Sequence, residues 1–360
     1  GGNKMTVKKL TVIAVAAGLM ISASVYVGIK LKANDEVEFA IGQEEYTVNG
    51  TTKTFDETAE TLPMIDEKSQ KLLLPLRWVM EELKGNVEWD KNENTAIIQY
   101  QGKTIGIQAD TKKADVNGYS ITLADAPVFY EGSIYVTEDF MADIFDTTII
   151  WDGNQKQITL RTEAVQRPMV YANIMQYAGQ EKSYYVMIPV MIGLNDANYE
   201  RNLNRIVSTD ITEEVLSFME SAETQLTLGE LKIEYTVPYR SKEMISIAFS
   251  GREIQEGESH EIKRSINIDL QTQKFVTLQD LFRKKDYMQR LAKECGIDKK
   301  QLPQKAEEQF YFDKNRGLVV FWENEQGQYE EYTVSFAKLK NILKNNYQFL
   351  LVENQPQQQI

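Results

Sequence analysis

The sequence predicts an α+β chain of two domains, an internally duplicated β-rich domain followed by one of antiparallel sheet plus helices. Two observations carry this. A strand, short helix and hairpin recur at a constant offset of 62 residues, with 74–83 aligning on 136–145 and Trp89-Asp90 on Trp151-Asp152. After Thr162 the pattern changes to longer strands and one long helical stripe near 3.6-residue spacing. The expected boundaries are a leader at 1–33, a first domain at 34–162, a second at 163–352 and a disordered tail at 353–360.

Lys4, Lys8 and Lys9 precede an uncharged run over 10–29, which Lys30 and Lys32 close. A basic start before an apolar run reads as a secretory signal, and 20 residues also suffice for a retained N-terminal membrane anchor. Ile21-Ser22-Ala23 would put cleavage inside the run, and Leu31-Lys32-Ala33 would put a lysine in the cleavage motif. Both fates stay open, and either one sends residues 34–360 outside the membrane.

In each repeat a strand (71–74 and 133–136) enters a short helix, opened by Pro75 in the first and by Thr137 as N-cap in the second. Leu76, Val79, Met80 and Leu83 form the core stripe of the first helix, which Gly85 is expected to end. Hairpins follow, turning at Asp90-Lys91-Asn92 and Asp152-Gly153-Asn154, and Asn-Gly turns at Val48-Asn49-Gly50 and Val116-Asn117-Gly118 precede the two units. Trp89 and Trp151, equivalent in the repeat, are expected as core anchors. Asp90-x-Asn92-x-Asn94 begins like a calcium loop, but Thr95 stands where glycine is needed and Gln101 where a closing glutamate is needed, so it reads as a turn.

In the second domain 184–190 reads as a strand, and Asp196 caps a helix running to about residue 222 with the stripe Tyr199, Leu203, Ile206, Ile211, Val215, Phe218 and Ala222. Strands are expected at 232–238, 244–251 and 261–270. Thr277-Leu278-Gln279-Asp280 resembles a capping box, and opens a helix with the stripe Leu281, Met288, Ala292 and Cys295, making Cys295 a core thiol. A hairpin at 309–312 and 318–322, a strand at 329–334 and a last helix capped by Ser335, carrying Leu339, Ile342 and Leu343, complete it. The Gln-rich tail from Glu353 lacks the apolar residues to order itself.

Composition narrows the chemistry. The formal charge of −13 is uneven, with 11 basic and 24 acidic residues over 34–162 and 24 basic and 29 acidic over 163–360. Such a body repels nucleic-acid phosphates and anionic headgroups. One cysteine, Cys295, forbids an intramolecular disulfide or a Cys-based zinc site, and one histidine, His260, leaves no His cluster, so no cofactor is expected. Any Ser-His-Asp or Cys-His mechanism would run through His260. With Glu258 and Glu261 beside it, His260 is the candidate ligand site, as one arm of an acid-base or metal centre, and the competing reading is a hydrogen-bonded structural residue just before a strand. Two other carboxylate pairs are weaker candidates, because Glu330 and Glu331 point to opposite faces of a strand and Asp139 and Asp143 sit on a surface helix.

Taken together, Val48-Asn49-Gly50, Leu74-Pro75-Leu76-Arg77, Val87-Glu88-Trp89-Asp90 and Val116-Asn117-Gly118 resemble the copper amine oxidase N-terminal-like, or stalk, domain of exported Gram-positive proteins over nearly all of 38–162. The resemblance implies a non-catalytic spacer or wall-associated module and no oxidase, since the His ligands of a copper site are missing. Ile188-Pro189-Val190, Gly193-Leu194-Asn195-Asp196, Ser259-His260, Ile268-Asp269-Leu270, Thr277-Leu278-Gln279-Asp280-Leu281-Phe282 and Gly317-Leu318-Val319-Val320-Phe321 resemble the paired domain of unknown function in lysozyme-sensing anti-sigma factors and some peptidoglycan deacetylases. One departure is Leu270-Gln271-Thr272-Gln273-Lys274, which lacks the glycine usual in that family's turn. The resulting expectation is an exported, extracytoplasmic, non-enzymatic binding or adaptor protein of the cell envelope. Its partner would be cell-wall glycan or, by the resemblance, a lysozyme-like extracellular protein. The alternative is an envelope enzyme or accessory subunit acting on peptidoglycan through carboxylates.

Overall fold

A computed structural model describes residues 35–55, 61–152, 157–162, 167–221, 228–255, 257–283, 286–297 and 308–352. The leader, the Gly153-Asn154 turn, Ala222 and the tail from Glu353 lie outside them. The first part runs β1 Glu36–Ala40, β2 Glu45–Val48, β3 Thr51–Thr54, β4 Met64–Ile65, β5 Leu72–Pro75, α1 Leu76–Glu82, β6 Asn86–Asp90, β7 Thr95–Tyr100 and β8 Lys103–Ile107. It continues with β9 Lys113–Val116, β10 Tyr119–Thr122, β11 Val128–Tyr130, β12 Ser133–Thr137, α2 Glu138–Phe145, β13 Thr147–Asp152 and β14 Gln157–Thr162.

The duplication is real in space. Strands β5 and β12 pair antiparallel, and Leu74 faces Val136, its own equivalent 62 residues on, while Leu73 faces Thr137 and Pro75 faces Tyr135. Exchanging the two repeats maps this ladder onto itself, so a local pseudo-twofold axis passes through the Leu74–Val136 pair, both fully buried. Helices α1 and α2 bury Leu76, Val79 and Met80 on one side and Phe140, Met141, Ile144 and Phe145 on the other. Thr137 caps α2 by accepting from the Phe140 N–H at 3.2 Å.

Two five-stranded sheets flank this axis in matching order, β6-β7-β8-β9-β10 and β13-β14-β1-β2-β3. The second repeat is thus completed by the beginning of the chain. Strand β1 adds to β14 with Glu36 opposite Arg161 and Ala40 opposite Gln157. Asn49 and Asn117 occupy matching left-handed turn positions (φ 51° and 53°), and each side chain accepts a backbone N–H, from Glu36 and Thr104 respectively. At the end of α1, Lys84 takes the left-handed conformation rather than Gly85 (φ 64°). Gly85 is needed for space, because a Cβ there would lie 2.8 Å from Met80 Cε.

Trp89 and Trp151 are not core anchors. They are 39% and 52% exposed, each on an edge strand of its sheet, β6 and β13, beside the turn.

The second part comprises β15 Met169–Ala178, β16 Lys182–Ile192, α3 Ala197–Glu220, β17 Gly229–Arg240, β18 Met244–Gln255, β19 Glu258–Asp269, β20 Lys274–Phe275, α4 Leu278–Leu281 and α5 Tyr287–Cys295. After these come β21 Phe310–Asp313, β22 Gly317–Glu323, β23 Tyr329–Val334, α6 Phe336–Leu339 and α7 Phe349–Val352. Strands β15 to β20 form a six-stranded sheet in sequential order, antiparallel except for β16 and β17, which α3 connects as a parallel pair. Asp196 caps α3 through the N–H groups of Asn198 and Tyr199. The buried stripe of α3 is Leu203, Val207, Ile211, Val215 and Phe218, so the expectation at Ile206 is off by one: Ile206 is 47% exposed. Two polar residues are buried with it, Asn204 bonding both the N–H and the C=O of Met191, and Glu200 accepting from the N–H groups of Gly193 and Leu194.

The three-stranded sheet β21-β22-β23 packs with the short helices around its own core. It is stitched to the large sheet by buried polar bonds, the Phe312 N–H to Ser246 Oγ at 3.2 Å and Asn267 Nδ2 to the Phe310 carbonyl at 2.6 Å. The helix expected to follow Thr277 breaks into α4 and α5. Its first turn is drawn into a bridge between Phe282 and Leu343, with the Lys344 N–H bonding Leu281 O at 2.7 Å. Gln273 adopts φ 57° at the turn position where the resembled family has glycine. Cys295 is half-buried, and burial pushes its thiol up to about 11.

Leu74→Ala, emptying a methyl cluster at the pseudo-twofold axis, should lower unfolding free energy by about 3 kcal/mol in urea titrations. Ile206→Ala should change it by less than about 0.5 kcal/mol. Equal losses at the two positions would contradict this assignment of core and surface.

Candidate ligand site

The sequence-predicted residues lie together but in the open. Glu258, His260 and Glu261 are all exposed near one end of β19, where Glu258 pairs with Gln255 and His260 with Glu253. Glu258 and His260 share a face, with Nε2 to Oε2 at 3.8 Å and side-chain exposures of 80% and 69%, while Glu261 projects from the other face. His260 is inside the strand rather than before it. Among the described residues no three His, Cys, Asp or Glu side chains converge as a metal-holding group.

A different place has the shape of a site. A cavity of about 400 Å³ opens between the duplicated part and the six-stranded sheet. Its walls are Ile121 to Asp125 from the end of β10 and the loop after it, Phe140, Asp143 and Ile144 from α2, and Val170, Tyr171, Ala172 and Ile174 from β15. Tyr185 and Met187 of β16 and Tyr235 of β17 complete it. Two hydrogen bonds hold its walls together: the Ile174 N–H donates to Thr122 Oγ1 at 3.1 Å, and the buried Tyr171 hydroxyl donates to the Ile144 carbonyl at 3.0 Å.

The polar groups gather at the α2 side. Lys71 bridges Asp125 at 2.5 Å and Asp139 at 2.9 Å, and these hydrogen bonds raise the pKa of its ammonium. Thr137 Oγ1 also donates to Asp125 at 3.3 Å. Asp143, one helical turn beyond Asp139, reaches solvent at the mouth of the cavity, yet its carboxyl titrates above the usual range. Desolvation by the apolar walls is the main cause, and the charges of Asp139 and Asp125 add to it against the opposing pull of Lys71. The Tyr235 phenol is pushed up by burial and by Asp143. The sequence marked Asp139 and Asp143 only as a surface pair. No spacing signal links them to Asp125, Tyr185 or Tyr235.

Beside the cavity an ionic cluster joins the two parts of the chain. Asp146, in the left-handed C-cap of α2 at φ 54°, accepts from Nη1 and Nη2 of Arg240, the closer at 2.6 Å, and from Arg167 Nε at 2.9 Å. Arg240 also donates to the Pro168 carbonyl at 3.1 Å. Nearby, burial pushes Lys103 down to about 8, an effect that Arg240 reinforces and Asp146 opposes. The apolar packing is continuous here, since Met169, Tyr171, Val190 and Ile192 belong to the core of the duplicated part.

Residues 57–160 match the family model of the copper amine oxidase N-terminal domain. A curated relative, the primary amine oxidase of Klebsiella aerogenes, is 27% identical over 85 residues, covering 24% of this chain and 11% of that protein. The match therefore spans about a tenth of the relative's length. Among solved structures, a DUF3298 family protein from Pseudomonas aeruginosa is 14% identical with a TM-score of 0.36, over 50% of this chain and 94% of that one. A DUF3298 member from Bacteroides fragilis is 13% identical with a TM-score of 0.38, over 51% and 97%.

Desolvation raises the Asp146 carboxyl, but the hydrogen bonds and charges of Arg240 and Arg167 outweigh it and hold the pKa below its ordinary value. A depressed carboxylate contributes stability above its unfolded pKa of about 4, and loses that contribution as pH falls toward the folded value, a range in which Lys103 stays protonated. Asp146→Asn should therefore flatten the acid limb of melting temperature against pH. Arg240→Gln should cost about 2–3 kcal/mol at pH 7, between exposed and fully buried pairs, because the two side chains are 18% and 20% exposed. An unchanged acid limb in Asp146→Asn would remove this cluster from the account of stability.

Proposed function

We propose that this is an exported, non-enzymatic binding or adaptor protein of a Gram-positive cell envelope, in which the stalk-like part and the six-stranded sheet jointly hold a ligand. The observation that supports a binding role best is the apolar, aromatic-walled cavity with carboxylates at one side. Export is supported by the lysine-flanked apolar run at 10–29 and by the resemblance of the stalk-like part to modules of exported proteins. Among the described residues no helix is long and apolar enough to cross a membrane. The partner is cell-wall glycan or an extracellular protein of the lysozyme type.

One observation favours a second reading, an enzyme acting on peptidoglycan through carboxylates. Asp125 and Asp143 line the same cavity, and Asp143 titrates high, as a general acid should. The two readings part on turnover.

The full chain, immobilised, should retain soluble peptidoglycan fragments or a lysozyme-type protein. Tyr235→Leu should weaken retention at least about fivefold, whereas His260→Ala should leave it and the melting temperature unchanged. Product released from peptidoglycan by wild type and lost in a folded Asp143→Asn variant would replace the binding reading with the enzymatic one. In whole cells, protease added to protoplasts should digest the protein, or it should be found in the medium. An intact intracellular pool in both assays would refute export.

A further inference from the structure

We propose that the cavity between α2 and the six-stranded sheet binds a small quaternary ammonium ion carried on an apolar body. This rests on the reading of that cavity as the ligand site, and identifies the chemistry it accepts.

Charge comes first. Asp125 and Asp143 line one side of the cavity, with Asp139 one helical turn before Asp143, and the cation near them, Lys71, is committed to Asp125 and Asp139. Among the described residues no basic side chain forms an ion pair with Asp143. An anionic ligand would meet two or three negative groups. A neutral one would desolvate Asp143 further with nothing to offset it. A cation supplies the missing countercharge.

The hydrogen-bonding inventory then selects among cations. A primary ammonium brings three N–H donors and a guanidinium five, each needing an acceptor once buried. Beyond the carboxylates acceptors are few: Thr122 Oγ1 already accepts from the Ile174 N–H, and much of the remaining wall is Ile121, Leu123, Ile144, Val170, Ile174 and Met187. A fully alkylated nitrogen has no donors to satisfy, and its charge is spread over methyl groups that pack against apolar and aromatic walls. Phe140, Tyr171, Tyr185 and Tyr235 provide rings from four elements, the arrangement in which such ions gain from cation–π attraction. A volume of about 400 Å³ lies at the small end of ligand sites, enough for a trimethylammonium group on an aryl or short alkyl body. A phosphocholine headgroup shares the cation but carries a phosphate, which Asp125 and Asp139 would repel.

The test is calorimetry on the full chain with benzyltrimethylammonium, its uncharged carbon isostere neopentylbenzene, benzylammonium, and phosphatidylcholine vesicles. The quaternary ion should bind about tenfold tighter than the isostere and tighter than benzylammonium, and the vesicles should show no binding. Asp143→Asn, checked by melting to be folded, should reduce the quaternary ion to the affinity of the isostere, and Tyr235→Leu should weaken both. Affinity should hold at neutral pH and fall as acid protonates Asp143, which faces Asp125, Asp139 and a Lys71 that stays charged throughout. Equal binding of ion and isostere would overturn the cation proposal while leaving the cavity a ligand site. Tighter binding of benzylammonium would overturn the quaternary assignment. Absence of binding by all four probes would overturn the proposal, and retention of peptidoglycan fragments that is insensitive to Tyr235→Leu would separately remove the cavity from the functional reading.

Discussion

The Asp146–Arg240 ion pair is the constraint on which the site depends. It ties the C-terminal end of α2, in the duplicated part, to the end of β17, in the large sheet, across 94 residues of sequence. Asp146 can accept two arginines because its left-handed backbone turns the side chain off the helix axis toward β17 and residue 167. A left-handed aspartate costs on the order of 1 kcal/mol of backbone energy, and the charge-assisted hydrogen bonds it gains exceed that cost. With α2 fixed, its Phe140, Asp143 and Ile144 line the cavity together with Tyr185 of β16 and Tyr235 of β17.

Local pattern was legible where one strong signal sufficed. The 62-residue repeat located both helices and their hairpins, and the caps at Thr137 and Asp196 were readable from residue type alone. What no periodicity contains is which strand joins which sheet. The Asn-Gly hairpin before the first repeat completes the sheet of the second, a long-range choice made by β1 fitting the open edge of β14. Similar reasons explain the local misses. Residue 206 and residue 207 both suit a 3.6-residue stripe, and only the sheet under α3 selects Val207. A repeated tryptophan looks like core until its strand proves to be an edge. The break after Leu281 comes from a bridge to residue 343, which helix propensity cannot see.

The site was less legible than the fold. Chemistry-bearing residue types drew attention to His260 and its glutamates, yet strand β19 leaves all three in water. The cavity is assembled from five segments between Ile121 and Tyr235, with tyrosines and aliphatic residues whose identities are ordinary for core positions. Its one distinguishing group, Asp143, looks like any acid on an acidic helix. Only the placement of β15 to β17 over α2 changes its surroundings.

The pairing of β1 with β14 also bears on how the molecule would carry a pull. The Asp35 N–H donates to Thr162 Oγ1 at 2.9 Å and the Thr162 N–H returns to the Asp35 carbonyl at 2.9 Å, so the chain enters and leaves the duplicated part at one point. Tension arriving along the chain at residue 35 passes across that short link to residue 162 and bypasses the intervening sheets. A module with adjacent ends adds almost nothing to the contour length of a tether. In mechanical terms it is a bracket beside the line of force, and its pseudo-twofold body would stay unloaded until the outermost rungs between β1 and β14 had opened like a zip.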